Sequence, residues 1–171
     1  ISVIDDPLRP RGLGSRAFDG EGLPTARTAV IDKGVLTGWM MESAAARQLG
    51  LKPTGHASRG GSGAPGTSPS NLHLEGGALS VAELISDIDY GVYIHELSGQ
   101  GVNIVTGDYS RGAAGFLIEK GEITGPVSEF TIAGNLKEMF RGIVAIGTDI
   151  VIRGARQCGS ILMDRMTVAG E

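Results

Sequence analysis

GVYIHELSGQGVNIVTGDYSRGAAGFLIEKG, residues 91–121, contains a strand, a polar crossing and the first arm of a tight hairpin. Residues 90–97 alternate, with Tyr90, Val92 and Ile94 on one face and Tyr93, His95 and Leu97 on the other, the period-two pattern of an extended strand. Ser98-Gly99-Gln100-Gly101 then turns the chain. Within the strand, His95-Glu96 opens the zinc-peptidase pattern H-E-x-x-H, in which one helical turn brings two imidazoles to a metal. Position 99 is Gly99, and a spacing stretched by one residue meets Gln100, whose neutral amide is a poor zinc ligand. The pattern needs a helix where the alternation gives a strand. His95 and Glu96 are read as strand residues, not as a metal site.

The hairpin at the end of this stretch has a double. Ile118-Glu119-Lys120-Gly121-Glu122-Ile123-Thr124-Gly125 closely resembles Ile31-Asp32-Lys33-Gly34-Val35-Leu36-Thr37-Gly38. An acidic-Lys-Gly turn between alternating segments is favoured on local grounds, with Gly34 able to take positive φ in a three-residue loop. One turn chemistry used twice explains the match, and an internal duplication remains the other reading. The chain has 171 residues, 28 of them Gly and only 5% aromatic, so many short elements joined by tight turns are expected. The fold class that follows is α+β, predominantly antiparallel sheet with hairpins and two to three short helices packed on it. A single domain over 1–171 can bury a core without metals or disulfides.

Working outward, residues 1–4 read as an opening strand and 5–21 as an ordered, irregular Pro/Gly/Arg/Asp loop. Residues 27–32 and 35–40 form the arms of the first hairpin. A helix over 42–49 is stopped by Gly50. Residues 56–69, HASRGGSGAPGTSP, lack a P-loop ending and are expected to be a flexible surface loop with almost nothing to bury. Residues 71–75 resume as a strand, and Ser80-Val81-Ala82-Glu83 is a capping box opening a helix through Ser86. The second hairpin ends over 130–133. Asn135 then caps a helix that places Leu136, Met139, Phe140, Ile143 and Val144 on one face, lies across a sheet and stops at Gly147. Residues 149–153 and 159–165 are strand candidates.

A net charge of −4 lacks the basic footprint of a nucleic-acid binder. One cysteine, Cys158, excludes an internal disulfide and fits a reducing compartment, the cytoplasm by default. No long apolar run and no signal peptide point to a membrane or to secretion. No G-x-S-x-G elbow occurs, since Gly61-Ser62-Gly63 fails the spacing. Cys158 would need an imidazole that the sequence cannot place beside it, and is read as buried or inert. Arg9, Arg11 and Arg16, interleaved with Asp5, Asp6, Asp19 and Glu21, are read as mixed charges on a solvated loop. The strongest site candidate is the polar run 99–112, where Gln100, Asn103, Thr106, Asp108, Ser110 and Arg111 offer a surface for an extended peptide. The plain structural reading has equal weight: Asp108 and Ser110 cap the turn, and Arg111 pairs with an acid.

SGQGVNIVTGDYSRGAAGFLIEKGEITGPVSEFTIAGNLKEMF, residues 98–140, strongly resembles the C-terminal domain of the PmbA/TldD family, the candidate modulators of DNA gyrase. DDPLRPRGLGSRAFDGEGLPTARTAVIDKGVL, SAAARQLGLKPTGHA and the terminal MTVAG carry the same resemblance through nearly the whole chain. It implies a piece of a longer protein lacking its N-terminal part. In this family TldD-like subunits resemble zinc peptidases that use an H-E-x-x-x-H helix and a cysteine near the C-terminus. PmbA-like subunits, also called TldE, are similar in fold and lack those ligands. The helix would lie upstream of this chain. Cys158 directly abuts the last expected strand and does not match the TldD-like ligand position, and the wording of residues 111–140 favours the PmbA side.

The resemblance therefore implies a non-catalytic subunit for peptide processing, with no catalytic or metal-binding residue in this chain. Its expected partners are a TldD-like paralogue that supplies the zinc and a peptide or unfolded-protein substrate, as a heterodimer. Two alternatives stay open: a metallopeptidase in its own right with ligands upstream, or a regulatory protein acting on DNA gyrase.

Overall fold

In the computed structural model, which describes residues 1–170, the two Lys-Gly turns have one geometry. Lys33 and Gly34 take φ of 48° and 85°, and Lys120 and Gly121 take 52° and 81°. Asp32 pairs with Val35, and Glu119 pairs with Glu122. Each turn is thus a two-residue connection with both central residues left-handed, whose twist matches that of the strands it joins. The loop is one residue shorter than expected because Lys accepts positive φ when the strand ladder on either side fixes it.

In chain order the elements begin with β1 (Val3–Asp5), β2 (Thr28–Asp32), β3 (Val35–Leu36), α1 (Ser43–Leu49), β4 (Ala57–Ser58), β5 (Gly66–Thr67) and β6 (Leu72–Leu74). There follow α2 (Val81–Ile85), β7 (Tyr90–Ser98), β8 (Asp108–Glu119), β9 (Glu122–Asn135) and α3 (Leu136–Arg141). Last come β10 (Ile143–Ile146), β11 (Val151–Arg153), β12 (Arg156–Cys158), β13 (Ile161–Met163) and β14 (Thr167–Ala169). Mostly antiparallel strands with three short helices make the fold α+β, as the composition predicts. The chain divides into two compact units, residues 1–75 with 150–158, and residues 76–149 with 159 onward.

The first unit holds a six-stranded sheet in the order β11-β12-β6-β1-β2-β3. β1 is central, antiparallel to both β2 and β6, while β12 joins β6 in parallel. The strand Arg156–Cys158, which escapes the sequence reading, is held on one side by the adjacent β11 and on the other by β6, some eighty residues away. Helix α1 begins where expected, with the Glu42 carboxylate accepting from Ala45 N–H and Gly50 left-handed at φ 68°. Residues 56–69 depart from the expected surface loop. β4 and β5 pair there, and His56 and Ala57 are buried, because the segment returns against the loop that follows β1.

The second unit is built on a four-stranded sheet in the order β14-β9-β8-β7. Its core is Ala113, Phe130 and Ile132, flanked by Val92, Ile94, Tyr109, Val127 and Met166. The β8 strand starts at Asp108, so the second half of the polar run is strand rather than loop. Both hairpin arms are long, and β9 continues through Asn135. α2 carries the expected capping box between Ser80 and Glu83.

The amphipathic helix expected through Gly147 is corrected. Asn135 caps it, accepting from Lys137 N–H, but α3 stops at Arg141. Gly142 and the β-branched pair Ile143-Val144 disfavour its continuation, and β10 instead pairs antiparallel with β13. Phe140 is consequently 66% exposed instead of facing a sheet. A helical period in the sequence has here yielded to a nonlocal strand pairing.

Candidate functional site

The polar run folds into a loop that satisfies itself. Between β7 and β8, Ser110 N–H donates to the Gly101 carbonyl at 2.7 Å, Asn103 N–H to Asp108 at 2.8 Å and Gly107 N–H to Asn103 at 2.8 Å. The Asn103 Oδ1 accepts from Val105 N–H at 2.9 Å and Thr106 N–H at 3.2 Å, so its side chain closes an Asx turn. The Thr106 hydroxyl donates to Asp108 Oδ2 at 2.7 Å. Arg111 pairs with no acid among the described residues; its guanidinium donates to the Leu97 and Ser98 carbonyls of β7, both at 3.3 Å. From the far end, Asn135 Nδ2 donates to the Thr106 carbonyl at 3.0 Å and Leu136 N–H to Gly107 at 2.7 Å, tying the loop to the start of α3.

Four of the six candidates, Asn103, Thr106, Asp108 and Arg111, therefore hold the loop in shape. The Gln100 and Ser110 side chains take part in none of these bonds, and both line a shallow depression formed by residues 100–103 and 108–110. At the loop tip Ile104 and Val105 are 88% and 89% exposed. Gly107 makes the closure possible: its φ is 86°, and a side chain there would begin 2.9 Å from Asn135 Nδ2.

A second polar constellation lies in the first unit, and the sequence reading misses it. Asp5 and His56 are 1% and 2% exposed, with Asp5 Oδ2 lying 3.2 Å from His56 Nε2. Ser70 donates to the same carboxylate through its N–H at 2.8 Å and its hydroxyl at 2.7 Å. The other ring nitrogen of His56 contacts the Thr54 hydroxyl at 2.9 Å, and Thr54 in turn bonds the Met41 backbone. Burial pushes the Asp5 carboxyl up, but the bonds from His56 and Ser70 outweigh it and hold Asp5 below the ordinary carboxylate range. The residue types are those of a serine-hydrolase triad, yet the order is wrong. The carboxylate stands between serine and histidine, whereas nucleophile activation needs the imidazole in the middle. This is a structural clamp joining β1 to residues 54–57 and 70.

Asp19 is the second buried acid of the loop read as solvated. It accepts from the N–H groups of Glu21 and Leu23 at 2.9 Å and Ala57 at 3.1 Å. Asp5 and Asp19 thus act as fasteners, and the expectation of freely solvated mixed charge fails for both. No spacing rule reveals this: Asp5 ends β1, while Asp19 lies within the loop that follows it.

The residues present do not fit a metal. Among those described, no group of three or more His, Cys, Asp or Glu is arranged to hold one. His56 is committed to Asp5, and His73 Nδ1 lies 2.7 Å from the Arg9 guanidinium. His95 sits at a bulge in β7, its ring edge-on to Phe116 at 6.4 Å. Cys158 closes β12 and is half-buried. No helix among the described residues is long and apolar enough to cross a membrane.

Fold and site together define an antiparallel α+β module with a braced polar loop and no assembled metal-ligand set among its described residues. The chain belongs to the family of PmbA/TldA metallopeptidase C-terminal domains, whose profile matches residues 1–170. It is 47% identical to the metalloprotease PmbA of Escherichia coli O157:H7, covering 100% of this chain and 36% of that protein. A metalloprotease TldD homolog from Buchnera aphidicola subsp. Schizaphis graminum is 28% identical, covering 99% and 38%. Among solved structures, TldE of Thermococcus kodakarensis superposes with a TM-score of 0.89 at 27% identity, covering 99% of this chain and 39% of that one. A Thermotoga maritima MSB8 protein described as a candidate modulator of a DNA gyrase also gives 0.89, at 37% identity, covering 98% and 39%. The chain spans little more than a third of the length of these relatives.

Proposed function

We propose that this chain is the C-terminal part of a PmbA-like subunit that serves peptide processing without supplying the metal itself. The observation that carries this reading is the gradient of likeness: 47% identity with a metalloprotease PmbA against 28% with a TldD homolog, both across essentially the whole chain. On this reading a TldD-like paralogue brings the zinc, and the depression beside the 99–107 loop borders the path of an extended peptide. Gln100 and Ser110 contact the peptide, while Asn103, Thr106, Asp108 and Arg111 hold the loop in shape for them.

The test is hydrolysis of an unfolded peptide by the full-length protein alone, by a TldD-like paralogue alone and by the two together, with and without a zinc chelator. The proposal expects chelator-sensitive turnover only when the paralogue is present. Zinc-dependent turnover by this protein alone would make it a metallopeptidase in its own right, the reading that the names of its relatives favour.

A further inference from the structure

We propose that an apolar row across the sheet of the first unit, formed by Leu74, Val3, Ile31 and Leu36, is the seat of the part of the full-length chain that precedes Ile1. This rests on the reading above that the chain is the C-terminal part of a longer subunit. Register sets the row. Leu74 of β6 lies directly opposite Val3 of β1, Val3 opposite Ile31 of β2, and Ile31 opposite Leu36 of β3. Directly opposed residues point to one side of a sheet, so four adjacent strands each give one aliphatic side chain to the same face. None of the four is buried: Leu74, Val3 and Ile31 are half-buried, and Leu36 is 51% exposed.

The cover over this face stops part-way along β1. β1 keeps a regular register with β6, so Asp5 projects to the same side as Val3. Asp5 is 1% exposed, closed over by His56 and Ser70. On the opposite face Ile4, between His73 and Ala29 in register, is 3% exposed. A sheet is stable when its apolar face is buried against a second layer, and here the clamp closes the Asp5 end while the Val3 end stays half open.

The place where the chain enters selects the occupant. Ile1 stands at the end of the row, 43% exposed, with its carbonyl accepting from Gly34 N–H at 2.7 Å in the β2–β3 turn. The matching profile is that of a C-terminal domain, and the chain covers 36% of the PmbA relative and 39% of TldE. The larger part of such a subunit therefore joins at Ile1, beside the row. Three strand spacings of about 4.8 Å make the row about 14 Å long. That is far short of the roughly 800 Å² that a stable complex buries on each partner, so the row by itself does not hold a second copy or a separate protein. A segment tethered at Ile1 needs no such area, because a short linker keeps it at an effective concentration on the order of millimolar. The four side chains carry no charge, so the surface they match on the upstream segment is apolar.

The experiment is hydroxyl-radical footprinting of the full-length protein without any paralogue, read residue by residue in a mass spectrometer over a range of protein concentrations. Leu13, 83% exposed in the loop after β1, is the reference for Leu36. Leu36 is expected to label about tenfold more slowly than Leu13 at every concentration, as a seat open less than about a tenth of the time requires. Leu36→Asp places a carboxylate in the seat from a two-residue border strand, and labelling of Val3 and Ile31 should then rise several-fold. Leu36→Ile should keep both protected, and if Leu36→Asp does not fold, Leu36→Ser gives the same reading. The proposal is overturned if Leu36 labels as fast as its exposure in this structure allows, or if Leu36→Asp leaves Val3 and Ile31 unmoved. Protection that grows with concentration makes the occupant a second copy, and protection that appears only with the paralogue or a peptide assigns the row to them; either result overturns it, as does a full-length chain with nothing ahead of Ile1. Labelling does not depend on turnover, so an open row leaves paralogue-dependent peptide hydrolysis standing, and zinc-dependent turnover by the protein alone leaves a covered row standing.

Discussion

Asp5 and His56, fifty-one positions apart, meet at 3.2 Å where almost no water reaches either, and Ser70 closes the second side of the carboxylate. The contact ties strand β1 to two stretches of irregular backbone, around His56 and Ser70. An unpartnered acid at this depth would be strongly unfavourable, so the clamp holds only when complete.

Removal of one partner should therefore be costly. His56→Ala leaves the Asp5 carboxylate with Ser70 alone, and a loss of about 3 kcal/mol is expected at neutral pH in urea unfolding. Asp5→Asn should lose a comparable amount, with a distinctive pH dependence. The folded-state carboxyl titrates below its ordinary value of 3.8, so its contribution is present above that pH and disappears as pH falls through the folded value. Asp19 and Asp149 are depressed in the same direction, and wild type alone cannot isolate Asp5. The gap between wild type and Asp5→Asn should narrow below about pH 4. A gap that is constant with pH would remove the ionised carboxylate from this account.

His73 should titrate low. Arg has no acceptor, so the 2.7 Å contact with Arg9 makes Nδ1 of His73 the acceptor and favours the neutral ring. Burial and then the Arg9 charge both lower its pKa from 6.5. The folded state thus binds fewer protons than the unfolded chain just below that value, and stability declines as pH drops through this window. Arg9→Met should move the His73 titration upward, read directly by NMR of the imidazole resonances. An unmoved titration would show that the Arg9 contact is not kept in solution.

The twin turns make a controlled comparison. Gly34 and Gly121 share the same left-handed backbone, but a Gly34 side chain would meet open space while one at Gly121 would begin 2.6 Å from the Ser86 carbonyl. Gly34→Ala should cost about 1 kcal/mol from backbone strain alone, and Gly121→Ala about 2 kcal/mol or more. Thermal melts of the two variants decide the matter. Equal losses would mean that the α2 end yields freely to a methyl group.

These turns also mark what the sequence makes legible. Lys-Gly between alternating arms, Gly50 after α1 and the Ser80–Glu83 box are local chemistry, and each appears where the residues place it. Ile143 and Val144 mislead because they continue a helical period, while β13, some eighteen residues on, offers them a strand partner. The Asp5–His56 clamp is illegible for a related reason: nothing near either residue announces the other. The loop after β7 is intermediate. Asn103 and Gly107 are typical turn residues, but only the fold reveals that Arg111 binds β7 carbonyls instead of an acid.

That division of labour within the loop gives the functional prediction its form. Gln100 and Ser110 line the depression with side chains free of the bracing bonds, whereas Asn103 and Arg111 each make two. In the full-length protein assayed with a TldD-like paralogue, Gln100→Ala with Ser110→Ala should raise KM for an extended peptide several-fold and leave the melting temperature unchanged. Each lost contact would remove about 0.5–1.5 kcal/mol of binding. Asn103→Ala should instead speed hydrogen exchange over residues 103–108, and Arg111→Ala at the end of β7 over residues 97–100, because each releases the backbone that its own bonds hold. The two classes then separate in two measurements: KM without loosening for the first pair, loosening for the second. If the Gln100/Ser110 double variant leaves KM where it was, the peptide does not pass this surface, even if the paralogue-dependent turnover proposed for the whole protein stands.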